Sequence, residues 1–348
     1  MTPALDGRLN AVLQAGIPGV VVVAGADGSS REAATGISDL ATGAPLTLEH
    51  RFRIASVTKL FVAAVVLQLV DGGAFSLDDE VGLIAGGVTI RQLLNHTSGL
   101  THAAEMTELV EPYRENRAYR PDWTPRRMLE LIAGKPRRFA PGEAWFYTGS
   151  NYVVLGLLVE EATGTTLSEE LRRRIVEPLG LTGTELPPLS VLSPDGLARG
   201  YLPADNPLLP ATGTDPVDVT DIEPFGWGGG GMISTARDVA RFLQALLGGE
   251  LLSPAMRAEM LSTVPSEWEE SDAYGLGIER VTSLWGFEQS TCGPAWGHFG
   301  FALGYSTIAL ASEAGDRHVV VMFNTHPMSE EIWRVLGRLT WPCYCGLG

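Results

Sequence analysis

Four residues near the start of a long apolar run, Ser56-Val57-Thr58-Lys59, have the types and the spacing for nucleophilic chemistry. Residues three apart on a helix share a face, so the hydroxyl of Ser56 and the amine of Lys59 can meet. A serine hydroxyl is a poor nucleophile at neutral pH and needs a base beside it. A lysine can be that base when burial lowers its pKa, whereas an arginine cannot. The chain carries 25 basic residues and only two are lysines, Lys59 and Lys135. Where a positive charge suffices the sequence uses arginine, so a lysine kept at the mouth of an apolar helix calls for a reason. The competing reading makes Ser56 a helix N-cap and lets Lys59 snorkel to the surface. A bare S-x-x-K arises about once by chance in a chain of this length at average composition.

Two further segments carry groups that fit the same chemistry. In Ala140-Pro141-Gly142-Glu143-Ala144-Trp145-Phe146-Tyr147-Thr148-Gly149-Ser150-Asn151, a turn delivers aromatic residues just before a helix. A Tyr147 phenol beside a cationic amine is lowered in pKa and can shuttle protons. In Trp296-Gly297-His298-Phe299-Gly300-Phe301, glycines flank a strand and let a ligand lie against the backbone. His298 can hydrogen-bond reacting groups there, and a backbone N–H can face a developing oxyanion. Taken singly, a tyrosine among aromatics belongs to a core and a lone strand histidine is structural.

The elements that must position these groups follow from periodicity. Residues 8–15 pattern as a short amphipathic helix ending near Gly16. GVVVVAGADGSSREAATGISD reads as two strands about an Asp27-Gly28 turn. Leu60–Val70 is apolar on every face, which marks a buried helix ended by Gly72-Gly73, with Ser56 where an N-cap would sit. Helices are expected over Ile90–Leu94, Pro125–Ile132, Asn151–Glu161, Leu167–Val176 and Ala236–Leu247, and residues 187–224 read as loop. Strand-like runs return in YGLGIERV, WGHFGFALGYSTIALAS and HVVVMFN, before a closing helix in EEIWRVLGRLTW. Short turns between the last strands favour an antiparallel sheet. The expected fold class is therefore α/β in the α+β sense: an antiparallel sheet flanked by helices, residues 1–60 and 248–348, with an inserted mainly helical subdomain, residues 61–247, and the active site between them.

Composition narrows the partners. The chain has 348 residues and a formal net charge of −16. That field repels phosphate backbones and anionic lipid headgroups, which argues against nucleic acid and membrane partners. The longest apolar run is too short to span a bilayer. No charged n-region precedes an apolar h-region at the N-terminus, so the chain as written is expected in the cytoplasm, or outside the cell if it is a mature form. Histidine and cysteine spacings suit no metal, and no cofactor is expected. Three cysteines, Cys292, Cys343 and Cys345, allow at most one internal disulfide.

In this order and spacing the segments resemble the serine β-lactamase and penicillin-binding-protein superfamily, most closely the class C β-lactamases and actinomycete-type DD-carboxypeptidases. TIRQLLNHTSGL and GGGGMISTARDVARFLQALLGG, with the blocks above, carry the likeness over nearly the whole chain. The resemblance implies the β-lactamase/transpeptidase-like fold. It makes Ser56 the nucleophile, Lys59 its partner and Tyr147 the proton shuttle, with His298-Phe299-Gly300 at the family's K-T-G or H-x-G strand. The backbone amides of Ser56 and Phe301 would form the oxyanion hole, His96 would be structural, and the Lys–Tyr division of labour stays open. Cys292 and Cys345 fall where an exported DD-carboxypeptidase of this type carries a disulfide.

Three positions depart from the pattern. Gly149 replaces the asparagine of Y-x-N, Phe299 replaces a threonine, and Glu279 follows Tyr274-Gly275-Leu276-Gly277-Ile278 where relatives place an arginine. All three would weaken a site for a free carboxylate, and they make Gly149, Phe299, Gly300 and Glu279 the expected substrate-binding positions. Arg280 should face the other way from Glu279. The expected function is a serine acyl-enzyme transferase or hydrolase for an ester or amide other than a peptidoglycan D-Ala-D-Ala terminus. It would be an esterase, or a transacylase of antibiotic assembly taking a small-molecule acyl donor and an amine acceptor. The alternatives are a DD-carboxypeptidase or class C-like β-lactamase, and, from another class, a non-catalytic protein acylated as a sensor.

Overall fold

The computed structural model describes residues 3–26, 28–102, 124–206, 214–222, 226–268, 271–284, 288–326 and 329–346. The Asp27 half of the expected first turn lies outside the described residues. One antiparallel sheet organises the molecule. Its strands are β1 (Gly19–Ala26), β2 (Ser29–Asp39), β3 (Ala44–Pro45), β4 (Val264–Pro265), β5 (Ala273–Tyr274), β6 (Glu279–Val281), β7 (Ala295–Ala302), β8 (Tyr305–Ala311) and β9 (His318–Phe323). The order across the sheet is β3-β2-β1-β9-β8-β7-β6-β5-β4, so the N-terminal strands join the C-terminal meander where β1 pairs β9, with Val20 opposite Phe323. The run read as one strand, YGLGIERV, is two, because the chain turns through Gly277 at φ +81° between β5 and β6.

Alternation along the strands divides two cores. Val20, Val22 and Ala24 of β1 face a layer containing Leu5, Leu9 and Val12 of helix α1 (Pro3–Gln14) and Leu336 and Leu339 of the C-terminal helix (Glu330–Tyr344). Val21 and Val23 face the other way, into the larger core built by α2 (Thr58–Asp71), α3 (Ile90–Leu94), α4 (Pro125–Ala133), α5 (Ser150–Thr163), α6 (Leu167–Leu171), α7 (Ala236–Leu247) and α8 (Pro254–Met260). The C-terminal helix is α9. Eleven of the fourteen residues of α2 are buried, from Thr58 through Leu67 and Leu69, which is why its sequence shows no polar face. Phe61 stacks on Phe242 of α7 with ring centroids 3.6 Å apart. A disulfide joins Cys292 to Cys345, while Cys343 is free and buried. Among the described residues no helix is long and apolar enough to cross a membrane.

Helix α2 begins later than the sequence suggests. Ser56 lies in a single 3-10 turn, Ala55–Val57, and α2 starts at Thr58 without a side-chain cap from Ser56. Ala55 is held at φ +46°, a conformation that costs a non-glycine residue roughly 1–2 kcal/mol. That turn presents Ser56 instead of using its hydroxyl to close the helix.

Candidate active site

The 3-10 turn, the mouth of α2, the loop before α5 and the edge of β7 converge on Ser56. Lys59 Nζ lies 2.8 Å from Ser56 Oγ and donates to the carbonyl of Gly229 at 2.5 Å. The Lys59 side chain does not snorkel: the residue is 1% exposed. Burial lowers its pKa to about 7, against a smaller upward pull from Glu279. Gly229 belongs to the run Gly228-Gly229-Gly230-Gly231, which approaches α5 so closely that a Cβ on Gly228 would fall 2.6 Å from Tyr152 O. The glycine run was legible as a segment, but nothing in it announced a carbonyl for Lys59.

Tyr147 stands above the pair, its ring centroid 4.9 Å from Lys59 Nζ. Its hydroxyl is buried and near enough to Ser56 to feel it, without a hydrogen bond of good geometry. The expected lowering of its pKa is reversed. Burial holds the phenol well above its ordinary value, and the hydrogen-bonding influence of Ser56 only partly offsets this. The ring is fixed on both sides, with His96 at 4.4 Å and Trp268 at 4.1 Å between centroids. His96 also brackets the Tyr147 backbone: its carbonyl accepts from Phe146 N–H at 3.0 Å and its Nδ1 accepts from Thr148 N–H at 3.2 Å. Trp268 and Tyr274, neither singled out as site residues, complete an aromatic wall with Trp145.

On the strand side, Gly300 lets β7 run against the turn before the serine. A Cβ there would fall 2.1 Å from Ile54 O. Phe299, expected to line the site, instead packs in the core under α1 and α9 and is 1% exposed. Strand alternation puts its ring on the face opposite His298. Phe301 is partly buried, its ring edge-on to Trp333 at 5.3 Å. Glu279, expected to oppose a substrate carboxylate, is fully buried. Its Oε1 lies 3.0 Å from His298 Nδ1 and accepts from Phe299 N–H at 3.4 Å. His298 is also fully buried, and its Nε2 lies 3.0 Å from the Tyr274 hydroxyl. Both ring nitrogens are therefore held by protein groups. Arg280 turns away, as expected, to pair with Asp272 at 3.3 Å. Gly149 caps α5 at φ −64°, and a Cβ there would meet nothing within 4 Å.

A buried lysine against a serine on a strained turn, with a phenol above and a strand beside it, is an arrangement for covalent acyl transfer. The family model described as Beta-lactamase matches residues 5–339. The chain belongs to the beta-lactamase family. Penicillin-binding protein 4 of Amycolatopsis lactamdurans is 31% identical over 269 residues, covering 71% of this chain and 66% of that protein. Esterase EstB of Burkholderia gladioli is 31% identical over 285 residues, covering 73% of this chain and 69% of that one. This beta-lactamase-family chain thus spans about two thirds of the length of these curated relatives. A D-stereospecific amidohydrolase from Streptomyces sp. superposes with a TM-score of 0.82 at 29% identity, covering 99% of this chain and 98% of that one.

Proposed function

We propose that the protein is a serine hydrolase that forms an acyl-enzyme on Ser56 from a neutral ester or amide. The observation that carries this reading is the 2.8 Å approach of a fully buried Lys59 amine to Ser56 Oγ. With a pKa near 7, a large share of Lys59 is neutral at physiological pH and can take the proton as Ser56 attacks. Tyr147 keeps its proton under the same conditions, so it serves as the acid that protonates the leaving group and as the relay returning that proton. The amides of Ser56 and Phe301 hold the oxyanion on this reading. His298 supports the wall and does not touch substrate, since both of its nitrogens are already engaged.

A neutral substrate is supported by what surrounds Ser56. Gly149 offers space without a donor, and the neighbouring wall is Trp145, Tyr147, Trp268 and Tyr274. The relatives named as an esterase and a D-stereospecific amidohydrolase fit that chemistry. An amine in place of water as acceptor would make the same acyl-enzyme a transacylase. A penicillin-binding reading is favoured by one observation, the Cys292–Cys345 disulfide in the position the DD-carboxypeptidase resemblance implied.

Intact-protein mass separates these readings. Brief exposure to an activated neutral ester gives a Ser56 adduct or turnover in the wild type and neither in Ser56→Ala. A stable adduct with penicillin and none with the ester overturns the neutral-substrate proposal. Products formed with and without an added amine then distinguish transfer from hydrolysis.

A further inference from the structure

Three buried side chains behind the reacting groups form a chain that the acyl-transfer reading does not use. His298 Nδ1 faces two acceptors, Glu279 Oε1 at 3.0 Å and the Phe299 carbonyl at 2.5 Å. A nitrogen between two acceptors must carry the hydrogen. Nε2 then has only its lone pair and accepts from the Tyr274 hydroxyl at 3.0 Å. All three residues are fully buried. The imidazole is neutral, because burial first and Lys59 second lower its pKa to about 3. Glu279 joins this chain to the reaction by two routes, accepting from the Phe299 N–H on the strand beside Ser56 and sharing the electrostatic surroundings of Lys59 and Tyr147.

We propose that Glu279 is a positioning residue for the serine–lysine pair: it fixes His298 in one tautomer, holds Tyr274 through it, and brings a buried carboxylate charge to bear on Lys59. This rests on Lys59 being the base for Ser56. The other groups around the Lys59 amine come from every packed segment: His96 and His102 after α3, Tyr147 before α5, Tyr152 on α5 and His298 on β7. The phenols are held protonated by burial, and burial lowers the pKa of each of the three imidazoles. Glu279 is the group whose pull on Lys59 opposes the effect of burial. Three residues of β6 thus place a carboxylate where the resemblance led to an arginine, and the change of sign acts on the lysine and not on a substrate.

The two-lysine composition makes the test direct. Protein labelled with 13C at lysine Cε and carrying Lys135→Arg reports Lys59 alone by NMR. The midpoint is expected near pH 7 in this background, and Glu279→Gln, which keeps an acceptor for Nδ1–H but loses the charge, lowers it by about one pH unit. The lower limb of the kcat/KM profile moves with it. An unchanged midpoint in Glu279→Gln overturns the proposal while leaving Lys59 as the base. A wild-type midpoint near the ordinary lysine value removes the base itself, a different failure. Should Glu279→Gln not fold, 15N shifts of His298 in the labelled wild type decide: a single Nδ1–H tautomer is expected, and an Nε2–H tautomer overturns the chain.

Discussion

A lysine amine buried at 1% exposure is expensive to charge, and that expense brings the pKa of Lys59 down to about 7. It also leaves a mark on stability. The folded pKa, about 7, lies below the ordinary 10.5, so between these values the unfolded chain binds a proton that the folded chain does not. Stability from this residue therefore rises with pH across that window and is flat below it. Lys59→Met should abolish acylation and melt higher than wild type at pH 6, the gap closing as pH is raised toward 10. A gap that does not change with pH places a normal lysine there. At Gly149 the backbone is helical and the space open, so Gly149→Asn should alter stability by less than about 0.5 kcal/mol. The added amide should speed penicillin acylation about tenfold, the worth of one good hydrogen bond, and an unchanged rate in stopped-flow measurements would show that the amide does not reach the acyl side. At this scale the sequence was readable for which residues come together: Ser56, Lys59 and Tyr147 do meet. It was unreadable where burial decides. Phe299 and Glu279 were assigned to the substrate from the likeness, yet both point into protein, so giving them the threonine and arginine of the relatives would test packing and not specificity.

Elements bring these residues to bear through close approaches that leave no room for side chains. Gly300 is one such case, with Ile54 O 2.1 Å from where a Cβ would stand. Gly300→Ala should force β7 away from the serine turn, costing about 1–3 kcal/mol by overpacking. The loss in kcat should far exceed what reduced folding explains, as active-site titration against thermal melting would show, and parallel losses would leave β7 with a structural role only. The helices were foreseeable because strong periodicity or its complete absence marks them, and Ile90–Leu94 and Ala236–Leu247 have the bounds their patterns suggest. The start of α2 was not. Ser56 looks like a cap by type, but the preceding residue, Ala55, sits in a left-handed conformation that sequence gives no sign of, and the Ser56 hydroxyl does not cap the helix.

For the whole molecule, the antiparallel sheet was evident from the short turns among the C-terminal strands, whereas the meeting of β1 with β9 depends on pairing across most of the chain. The disulfide acts at this scale. It closes a loop with a sequence separation of 53 and ties the end of α9 to the approach to β7. Cys292→Ser with Cys345→Ser should cost about 4 kcal/mol on the chain-entropy account. Calorimetry of oxidised and reduced protein checks this, and equal melting temperatures would show that the bond adds nothing to stability.

The pairing of β1 with β9 also bears on how the protein comes off the ribosome. Gly19–Ala26 is a strand of eight residues, every one apolar or glycine, whose partner on one side, His318–Phe323, is synthesised nearly three hundred residues later. Until then the β1–β2 hairpin has an open, valine-rich edge of the kind that recruits other chains. Sheet closure waits on the last part of the message, so a nascent chain spends most of its synthesis with its central seam unsealed. Chaperone dependence and losses to aggregation should concentrate in that interval, and a ribosomal pause before codon 318 would lengthen it.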